Sequence, residues 1–490
     1  MSELRPVNVA LAAPILTRHV AAHVQARPLP RALPAVACAA FLAIAIAGDA
    51  AAQSAEVVRV RVFAATPLRS AVVRAHDGPV ALRSDGRLVA TLQRGESVTL
   101  RASGGRVAAT GPGVDALGTA IEAAPTDGGM VAVESGNTRR RYTGTLRATT
   151  SGTLKLVNAA PIEDYVAAVV AGEYPFQEIE GIKAQAVLAR TYALQRRGRL
   201  GDHDVVDSIM DQVYPGAGAA TAMTRRAADE TRGEVLAYAG SIAEVYYSSS
   251  NGGHTAFNDA VWGRTPLPYL RGRPDPYDSS PDSRWTARIA VQRLHDALGR
   301  RFGGNVTGFD VDSRSADGRV HWMTLRGGRR SRISGQEFRM LTIEVFGGRV
   351  LRSTLFEMHR AGDHYVFEGR GWGHGVGLSQ YGARAQAQRG RTYREILDFY
   401  FAGAALTPAS DAWQAGGTPA LLDAAAPLDA AEREAMGIRS RPLTRRERAQ
   451  RDAGATTDPS RIEERLRDPD GRLRPAPPED SGTDDRRDAW

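Results

Sequence analysis

One glutamate combines the position and the surroundings that an acid catalyst requires. Glu173 follows Val166 by seven residues and Val169 by four, so it continues the apolar face of a predicted helix. Burial on that face and the negative end of the helix dipole both disfavour an ionised carboxylate. Both effects raise the pKa of the carboxyl group, as acid catalysis near neutral pH requires. The alternative is an ordinary exposed glutamate in the last turn of a helix.

A second group of polar residues lies on the next predicted helix, residues 182–197. Its members are Lys183, Gln185, Arg190 and Tyr192. Ammonium, guanidinium and amide groups beside a carboxyl could bind sugar hydroxyls or a carboxylate. Lys183 is one of only two lysines among 63 basic residues, and arginine does not replace lysine in roles that need a shifted pKa. A solvated helix face is the alternative.

Hydroxyl groups surround a histidine in the segment SSSNGGHT, which contains Ser249 and His254. A serine hydrolase is one interpretation, although the G-x-S-x-G motif of many such enzymes is absent. The other is a turn with a hydrogen-bonded histidine. We also include Ser249 and His254 among the candidate substrate-binding residues.

The segment GRGWGHGVGLSQYG, residues 369–382, predicts a tight glycine loop with close backbone contacts. Four of its side chains are candidates for a sugar-binding surface: Trp372, His374, Gln380 and Tyr381. A metal shared by His254 and His374 is an alternative, but zinc takes about three or four ligands and the sequence has no H-E-x-x-H motif. Nucleotide-binding glycine motifs are absent as well. We therefore predict neither a metal nor another cofactor.

The elements that must position these residues indicate an α+β fold. Alternating apolar residues over 57–115 predict strands and hairpins, followed by a glycine- and proline-containing loop near residues 111–129. Helices are predicted over 162–173, ended by Pro175, over 182–197 and over 393–401. A hairpin is predicted over residues 234–250, with its turn at Ala239-Gly240. The predicted organisation is a β-rich region at 57–144, a mixed α+β core at 145–403 and a disordered charged tail at 404–490.

The first 52 residues have the layout of an export signal. Arg27 and Arg31 precede an apolar run from Ala32 to Ala47, and the small residues Ala50, Ala51 and Ala52 follow it. This layout predicts a signal peptide cleaved near Ala52 and export to the periplasm or cell surface. An uncleaved anchor is the alternative. The one cysteine, Cys38, lies in this segment. The net charge of +8 suits an anionic partner, and because the arginines are dispersed we do not predict nucleic-acid binding.

Several sequence blocks occur in an order that resembles the SpoIID/LytB family, named for a sporulation protein D and an amidase enhancer. They include PIEDYVAAVVAGEYP, EGIKAQAVLARTYAL, DQVYPG, TRGEVLAYAGSIAEVYYSSSNGGHT and FEGRGWGHGVGLSQYGARAQAQRG. Together with shorter blocks they cover about residues 145–403. The resemblance therefore implies that this region is a SpoIID-like catalytic core.

The resemblance implies chemistry on peptidoglycan, because sporulation members are lytic transglycosylases that cut glycan strands stripped of stem peptides. The family's catalytic E-M-P triplet falls on Glu173, Tyr174 and Pro175, with tyrosine in place of methionine. Some members bind zinc through cysteines downstream of that glutamate, which this chain lacks, so the metal is not carried over. Other members enhance a separate amidase. The implied partners are thus glycan strands and a cell-wall amidase, and a non-catalytic wall-binding role is the alternative.

Overall fold

The computed structural model describes residues 56–65 and 67–414. The predicted signal segment lies outside the described residues, as does the predicted tail beyond residue 414. The first residues of that predicted tail, 405–414, form a strand and a helix. In the described residues, no helix combines the length and the apolar character needed to cross a bilayer.

Residues 57–161 form two β-sheets that pack face to face. In chain order the strands are β1 (Val57–Val62), β2 (Ser70–Ala75), β3 (Val80–Ser84), β4 (Arg87–Leu92), β5 (Ser97–Ser103), β6 (Arg106–Gly111), β7 (Val114–Gly118), β8 (Ile121–Pro125), β9 (Val131–Ser135), β10 (Thr138–Tyr142), β11 (Thr145–Thr150) and β12 (Leu154–Pro161). One sheet has the order β1-β12-β11-β8-β3-β4, and the other β10-β9-β2-β5-β6-β7. Alternate residues of β1 and β2 are buried, as expected for strands that cover one shared core.

The predicted strands and hairpins over residues 57–115 are confirmed. The predicted loop near residues 111–129 is wrong in part, because β7 and β8 occupy much of it. Val114 and Ile121 are buried in the sandwich, so packing outweighs the local glycine and proline signals.

Strand β12 leads without a loop into the first described helix, α1 (Ile162–Glu173). The backbone N–H of Ile162 donates to the carbonyl of Glu56, at 2.7 Å, just before β1. The helix ends at Glu173, and Tyr174 is extended, with φ −118° and ψ 93°. The predicted stop before Pro175 is confirmed, because a residue that precedes proline avoids the helical conformation.

Eight more α-helices follow in the described residues. They are α2 (Ile179–Gln195), α3 (Ala222–Glu230), α4 (Asn258–Trp262), α5 (Val291–Phe302), α6 (Gly335–Phe346), α7 (Gln380–Gln388), α8 (Tyr393–Tyr400) and α9 (Ala409–Gln414). Helix α2 packs against α1, α3, α7 and α8. It begins three residues before the predicted start, at Ile179, and most of its residues are buried. The predicted helix near the end of the core is confirmed as α8.

The remaining strands, apart from β13, form small sheets of two or three strands. They are β13 (Val205–Val206), β14 (Glu234–Tyr238), β15 (Ser241–Ile242), β16 (Tyr247–Ser248), β17 (Trp285–Ala290), β18 (Gly304–Arg314), β19 (Val320–Gly328), β20 (Arg332–Ser334), β21 (Phe356–Ala361), β22 (His364–Gly369), β23 (Leu378–Ser379) and β24 (Ala405–Pro408). Strand β13 joins the edge of the first sandwich sheet beside β1, in parallel. The predicted turn at Ala239-Gly240 is confirmed, but pairing ends at Ile242 and β16 pairs with β23 instead.

Residues 285–369 have a hydrophobic core of their own. The sheets β17-β22-β21 and β18-β19-β20 enclose it with α5 and α6. Phe309, Phe338 and Phe367 lie at its centre. We call residues 285–369 the inserted subdomain. The described chain thus mixes helices with largely antiparallel sheets, which confirms the predicted α+β class.

Candidate functional site

The carboxyl group of Glu173 is almost completely buried, with 4% of the residue exposed. Its Oε1 accepts a hydrogen bond of 2.6 Å from the backbone N–H of Val213, and the hydroxyl of Tyr247 also hydrogen-bonds the carboxyl. Burial raises the pKa of Glu173 to about 7, although these two hydrogen bonds partly oppose the rise. The group can therefore exchange a proton near neutral pH.

A chain of side chains fixes the position of Tyr247. The amide Nε2 of Gln212 donates to the Tyr247 hydroxyl at 3.1 Å, and the hydroxyl of Tyr165 donates to the Gln212 Oε1 at 2.8 Å. None of these three was among the predicted site residues. All three had a signal in the sequence, because Tyr165 lies on the apolar face of α1, Gln212 lies in the DQVYPG block and Tyr247 lies in the block TRGEVLAYAGSIAEVYYSSSNGGHT.

Gly172 explains how the Val213 amide comes so close. A Cβ at this position would lie 2.9 Å from the carbonyl oxygen of Val213 and 3.1 Å from Cδ of Pro215. The absence of a side chain therefore lets residues 213–215 pack directly on the end of α1. That contact delivers the N–H group to the Glu173 carboxyl.

The glycine loop holds the other side of Glu173. Gln380, at the start of α7, donates from Nε2 to the backbone carbonyl of Glu173 at 2.9 Å. The loop before it is tight, as predicted, since Gly371, Gly373, Gly375 and Gly377 all have positive φ. These conformations need glycine because a Cβ disfavours them. The loop thereby brings a distant segment of the chain to the end of α1.

Two predicted residues lie next to this contact. The backbone N–H of Tyr381 donates to the carbonyl of Ser249 at 3.1 Å. The ring of Tyr381 packs edge-on against Phe176, with a centroid distance of 4.8 Å. Phe176 follows Pro175 directly, so Tyr381 and Ser249 belong to the neighbourhood of Glu173.

Tyr192 supports the loop that carries Val213. Its hydroxyl donates to Oδ1 of Asp211 at 2.9 Å, and the guanidinium of Arg196 lies 4.3 Å from its ring centroid. The other carboxylate oxygen of Asp211 accepts from the Val206 N–H at 2.8 Å. Both the hydroxyl and the ring of Tyr192 thus contact other residues of the protein.

The charges of Lys183 and Arg190 are satisfied away from Glu173. Arg190 is completely buried; its Nε donates to Glu163 at 3.0 Å, and its other nitrogens bond to Glu163 and to backbone carbonyls. The Lys183 Nζ lies 2.8 Å from Glu180 and 2.7 Å from Glu230. Gln185 is also completely buried, and neither of its amide atoms has a partner among the described residues.

The predicted histidines are hydrogen-bonded to backbone. Nδ1 of His374 accepts from the Val376 N–H at 3.0 Å, and its ring also bonds to the Tyr247 carbonyl. Burial, followed by the charges of Arg339 and Arg319, lowers the pKa of His374, which keeps the ring neutral.

Nδ1 of His254 bonds to the carbonyl of Thr255 at 2.8 Å, so this ring is engaged in its own turn. The indole of Trp372 is partly exposed and lies 5.2 Å from the guanidinium of Arg352. Over residues 56–65 and 67–414, no three His, Cys, Asp or Glu side chains gather into a metal site.

The chain is similar to known proteins over this region. The family model described as stage II sporulation protein, SpoIID, matches residues 150–238. A second model, described as a domain of unknown function, matches residues 277–377, which include the whole of the inserted subdomain.

Several curated relatives align with about half of the chain. The amidase enhancer of Bacillus subtilis is 30% identical over 287 residues, which cover 49% of this chain and 40% of that protein. An uncharacterised protein of Brachyspira hyodysenteriae is 33% identical, over 51% of this chain and 68% of the relative. The stage II sporulation protein D of Bacillus amyloliquefaciens is 30% identical, over 52% of this chain and 76% of the relative.

These matches agree with the sequence blocks that converge in the structure, since the end of α1, the DQVYPG block and the glycine loop all meet at Glu173. The match to the amidase enhancer covers less than half of that relative, whereas the match to the sporulation protein covers three quarters. The chain belongs to the SpoIID/LytB family.

Proposed function

We propose that this protein is a lytic transglycosylase that cleaves the MurNAc–GlcNAc bond of peptidoglycan strands from which stem peptides have been removed. The observation that carries the proposal is the buried carboxyl of Glu173, whose pKa of about 7 suits both giving and taking a proton. Family membership supports the substrate class, since relatives carry the names of a sporulation protein and an amidase enhancer.

In the proposed reaction, protonated Glu173 gives its proton to the glycosidic oxygen. The bond between that oxygen and the anomeric carbon of MurNAc breaks, and GlcNAc leaves with a free hydroxyl. Positive charge develops on the MurNAc ring, as in other glycosidic cleavages. The C6 hydroxyl of MurNAc then attacks the anomeric carbon, and the Glu173 carboxylate takes the hydroxyl proton. A 1,6-anhydro end forms, and Glu173 is protonated again.

One carboxyl group suffices for this reaction, because the attacking hydroxyl belongs to the substrate itself. Asp211 is the acidic residue that shares a neighbour, Tyr165, with Glu173. Its carboxylate is already bound to Tyr192 and to the Val206 amide, and it pairs with Arg196 at 3.2 Å. Asp211 is therefore poorly suited to the second-carboxylate role of a two-acid glycosidase.

The test is digestion of denuded glycan, with anhydro ends measured by mass spectrometry. We expect release by the wild-type protein and none by Glu173→Gln. Glu178→Gln is the matched control, because Glu178 lies on the adjoining segment and bonds to Arg384 and Gln388 instead. Full activity of a folded Glu173→Gln variant would rule out the acid role.

A second function, enhancement of a separate cell-wall amidase without cleavage, is favoured by two observations. Glu173 is only 4% exposed, and one relative is named an amidase enhancer. Under this alternative, the wild-type protein releases no anhydro ends but binds glycan and accelerates an added N-acetylmuramoyl-L-alanine amidase. Glu173→Gln would then enhance the amidase as well as the wild-type protein does.

A further inference from the structure

Arg339 is a buried cation without a carboxylate partner in the part of the chain that the structure describes. It lies on α6 of the inserted subdomain with 8% of the residue exposed. Its Nε donates to the backbone carbonyl of Arg352 at 3.0 Å. The same carbonyl accepts from the Gly373 N–H at 2.9 Å, so Arg339 lies directly against the glycine loop.

A second buried arginine, Arg319, lies near it and is the one of the two that has a carboxylate partner. Arg319 pairs with Asp317 and donates to the backbone carbonyls of His254 and Asn251, at 3.1 and 2.6 Å. Its Nε has no acceptor among the described residues. The charge of Arg319 adds to burial in lowering the pKa of Arg339 to about 10. Asp317 balances one of the two guanidinium charges, and the other is left uncompensated.

Uncompensated charge inside a protein is costly, and proteins usually pair it or place it where a ligand supplies the counter-charge. His374 does not alter this balance, because the same two arginines and burial keep its ring neutral. Arginine is suited to bind a carboxylate through two parallel N–H···O bonds.

Partly exposed aromatic rings lie next to His374, the histidine whose pKa is lowered in part by the charges of the two arginines. The ring of Trp262 lies 4.5 Å from that of Tyr246 and 5.1 Å from that of His374. Trp262 ends α4, and α4 packs against α6, which carries Arg339. The same histidine bonds to the carbonyl of Tyr247, whose hydroxyl reaches Glu173. Positive charge on one side of His374 and aromatic faces on the other would suit a ligand that is both a sugar and an acid.

We propose that Arg339 and Arg319 form a carboxylate-binding subsite that recognises an acidic muramyl residue of the glycan. The inference rests on the proposed function, since it assigns a substrate group to the same site. The carboxylate has two sources in peptidoglycan, namely the lactyl group of a denuded muramyl residue and the free end of a stem peptide. The inserted subdomain would thereby contribute directly to substrate selection.

The test measures binding without cleavage, using Glu173→Gln protein and calorimetric titration. The ligands are a denuded GlcNAc–MurNAc tetrasaccharide, its lactyl methyl ester and the tetrasaccharide with tripeptide stems. We expect the acid to bind at least about tenfold more tightly than the ester. Added Arg339→Met should remove that difference, and Arg339→Lys should keep part of it. Tighter binding of the peptide form, lost in the same variant, would assign the subsite to the peptide carboxylate.

Arg326→Met is the matched control, because Arg326 is an exposed residue of the same subdomain that pairs with Asp310. It should retain the preference for the acid. Equal binding of acid, ester and peptide forms, or an unchanged preference in a folded Arg339→Met variant, would overturn the proposal. If the wild-type protein releases no anhydro ends but the preference persists, the subsite stands and the transglycosylase function fails.

Discussion

Tyr165 and Glu173 lie on the same helix and are connected a second time through Gln212 and Tyr247. Three hydrogen-bonded contacts join the hydroxyl of Tyr165 to the carboxyl of Glu173. Helix α1 thus carries both the candidate acid and one end of the network that holds it. The position of the carboxyl depends on segments far apart in the sequence.

Removing the Tyr247 hydroxyl should shift the pH dependence of cleavage upward. Tyr247→Phe removes a hydrogen bond that lowers the pKa of Glu173. The proposed acid must be protonated, so activity falls as the pH rises through about 7 in the wild-type protein. In Tyr247→Phe this decline should move up by about one pH unit. The measurement is the initial rate of anhydro-end release across the pH range.

Tyr246→Phe is the control for this prediction. The hydroxyl of Tyr246 donates to Glu244 at 2.8 Å and takes no part in the Tyr247 contact. In this variant, the rate of anhydro-end release should fall over the same pH range as in the wild-type protein. Coincident profiles for Tyr247→Phe and the wild-type protein would show that this hydroxyl does not tune Glu173.

The free energy of unfolding should depend on pH through Glu173. The pKa is raised from 4.5 to about 7, so the folded protein keeps a proton that the unfolded chain releases above about pH 4.5. The resulting stabilisation is complete below that pH and is lost as the pH rises through about 7. It amounts to about 3 kcal/mol. In denaturant titrations, Glu173→Gln should therefore gain about 3 kcal/mol relative to the wild-type protein between about pH 4 and pH 8.

For Glu178→Gln, the change in unfolding free energy relative to the wild-type protein should depend on pH in the opposite direction. Burial opposes the shift, but hydrogen bonds from Arg384 and Gln388 lower the pKa of Glu178. The ionised Glu178 carboxylate therefore stabilises the folded protein above the pKa that this group has in the unfolded chain, and this stabilisation is lost as the pH falls. This variant should gain relative stability towards acid pH. If the unfolding free energy of Glu173→Gln varied with pH in parallel with that of the wild-type protein, the raised pKa of Glu173 would be contradicted.

Arg190 should matter for folding far more than Lys183 does. Arg190→Met leaves the carboxylate of Glu163 in a largely buried position without its partner, which should cost about 3–5 kcal/mol of unfolding free energy. Lys183→Met removes more exposed ion pairs and should cost about 1 kcal/mol or less. The measurement is chemical denaturation of both variants.

The double variant Arg190→Met/Glu163→Leu should regain most of the stability lost in Arg190→Met, because it leaves no unpaired carboxylate. A stable Arg190→Met variant that fails to bind glycan would contradict this assignment. It would instead favour the substrate-binding role that the sequence suggests.

Gly377 and Gly390 offer a matched pair for testing the glycine loop. Both have positive φ, but a Cβ at Gly377 would lie 2.2 Å from the Tyr246 carbonyl, whereas nothing lies within 4 Å at Gly390. Gly377→Ala should cost about 2–4 kcal/mol, the sum of backbone strain and steric conflict. Gly390→Ala should cost about 1 kcal/mol. Thermal and denaturant unfolding measure both, and equal losses would show that the loop tolerates a side chain.

The sequence predicts the parts of the site that depend on local order. The apolar face of α1 and the proline after it are local signals, and the structure confirms a buried Glu173 at the end of that helix. The contact between Glu173 and Val213 joins residues 40 positions apart, and that with Gln380 spans 207 positions. Periodicity carries no information about such pairs.

The same limit applies to Lys183 and Arg190, whose ion pairs with other helices the sequence does not predict. Their residue types are readable, and so is the pair that Lys183 forms with Glu180 three residues before it. Their other partners are not readable, because Glu163 and Glu230 lie on other helices. A cationic helix looks the same in the sequence whether its charges face a ligand or a buried carboxylate. Only the packing of α2 against α1 and α3 distinguishes the two cases.

The ladder between β1 and β12 has a consequence for the order of assembly. Val57 pairs with Pro161 and Val62 with Leu156, and the other neighbour of β1 is β13, which comes later still. The first strand that the structure describes must therefore wait for roughly a hundred residues before it gains a partner, and such distant pairings close slowly. Helix α1 begins at the residue after β12. The partners of the Glu173 carboxyl, Val213 and Tyr247, come later again in the chain, so a folding chain lacks the buried acid until these distant segments have come together.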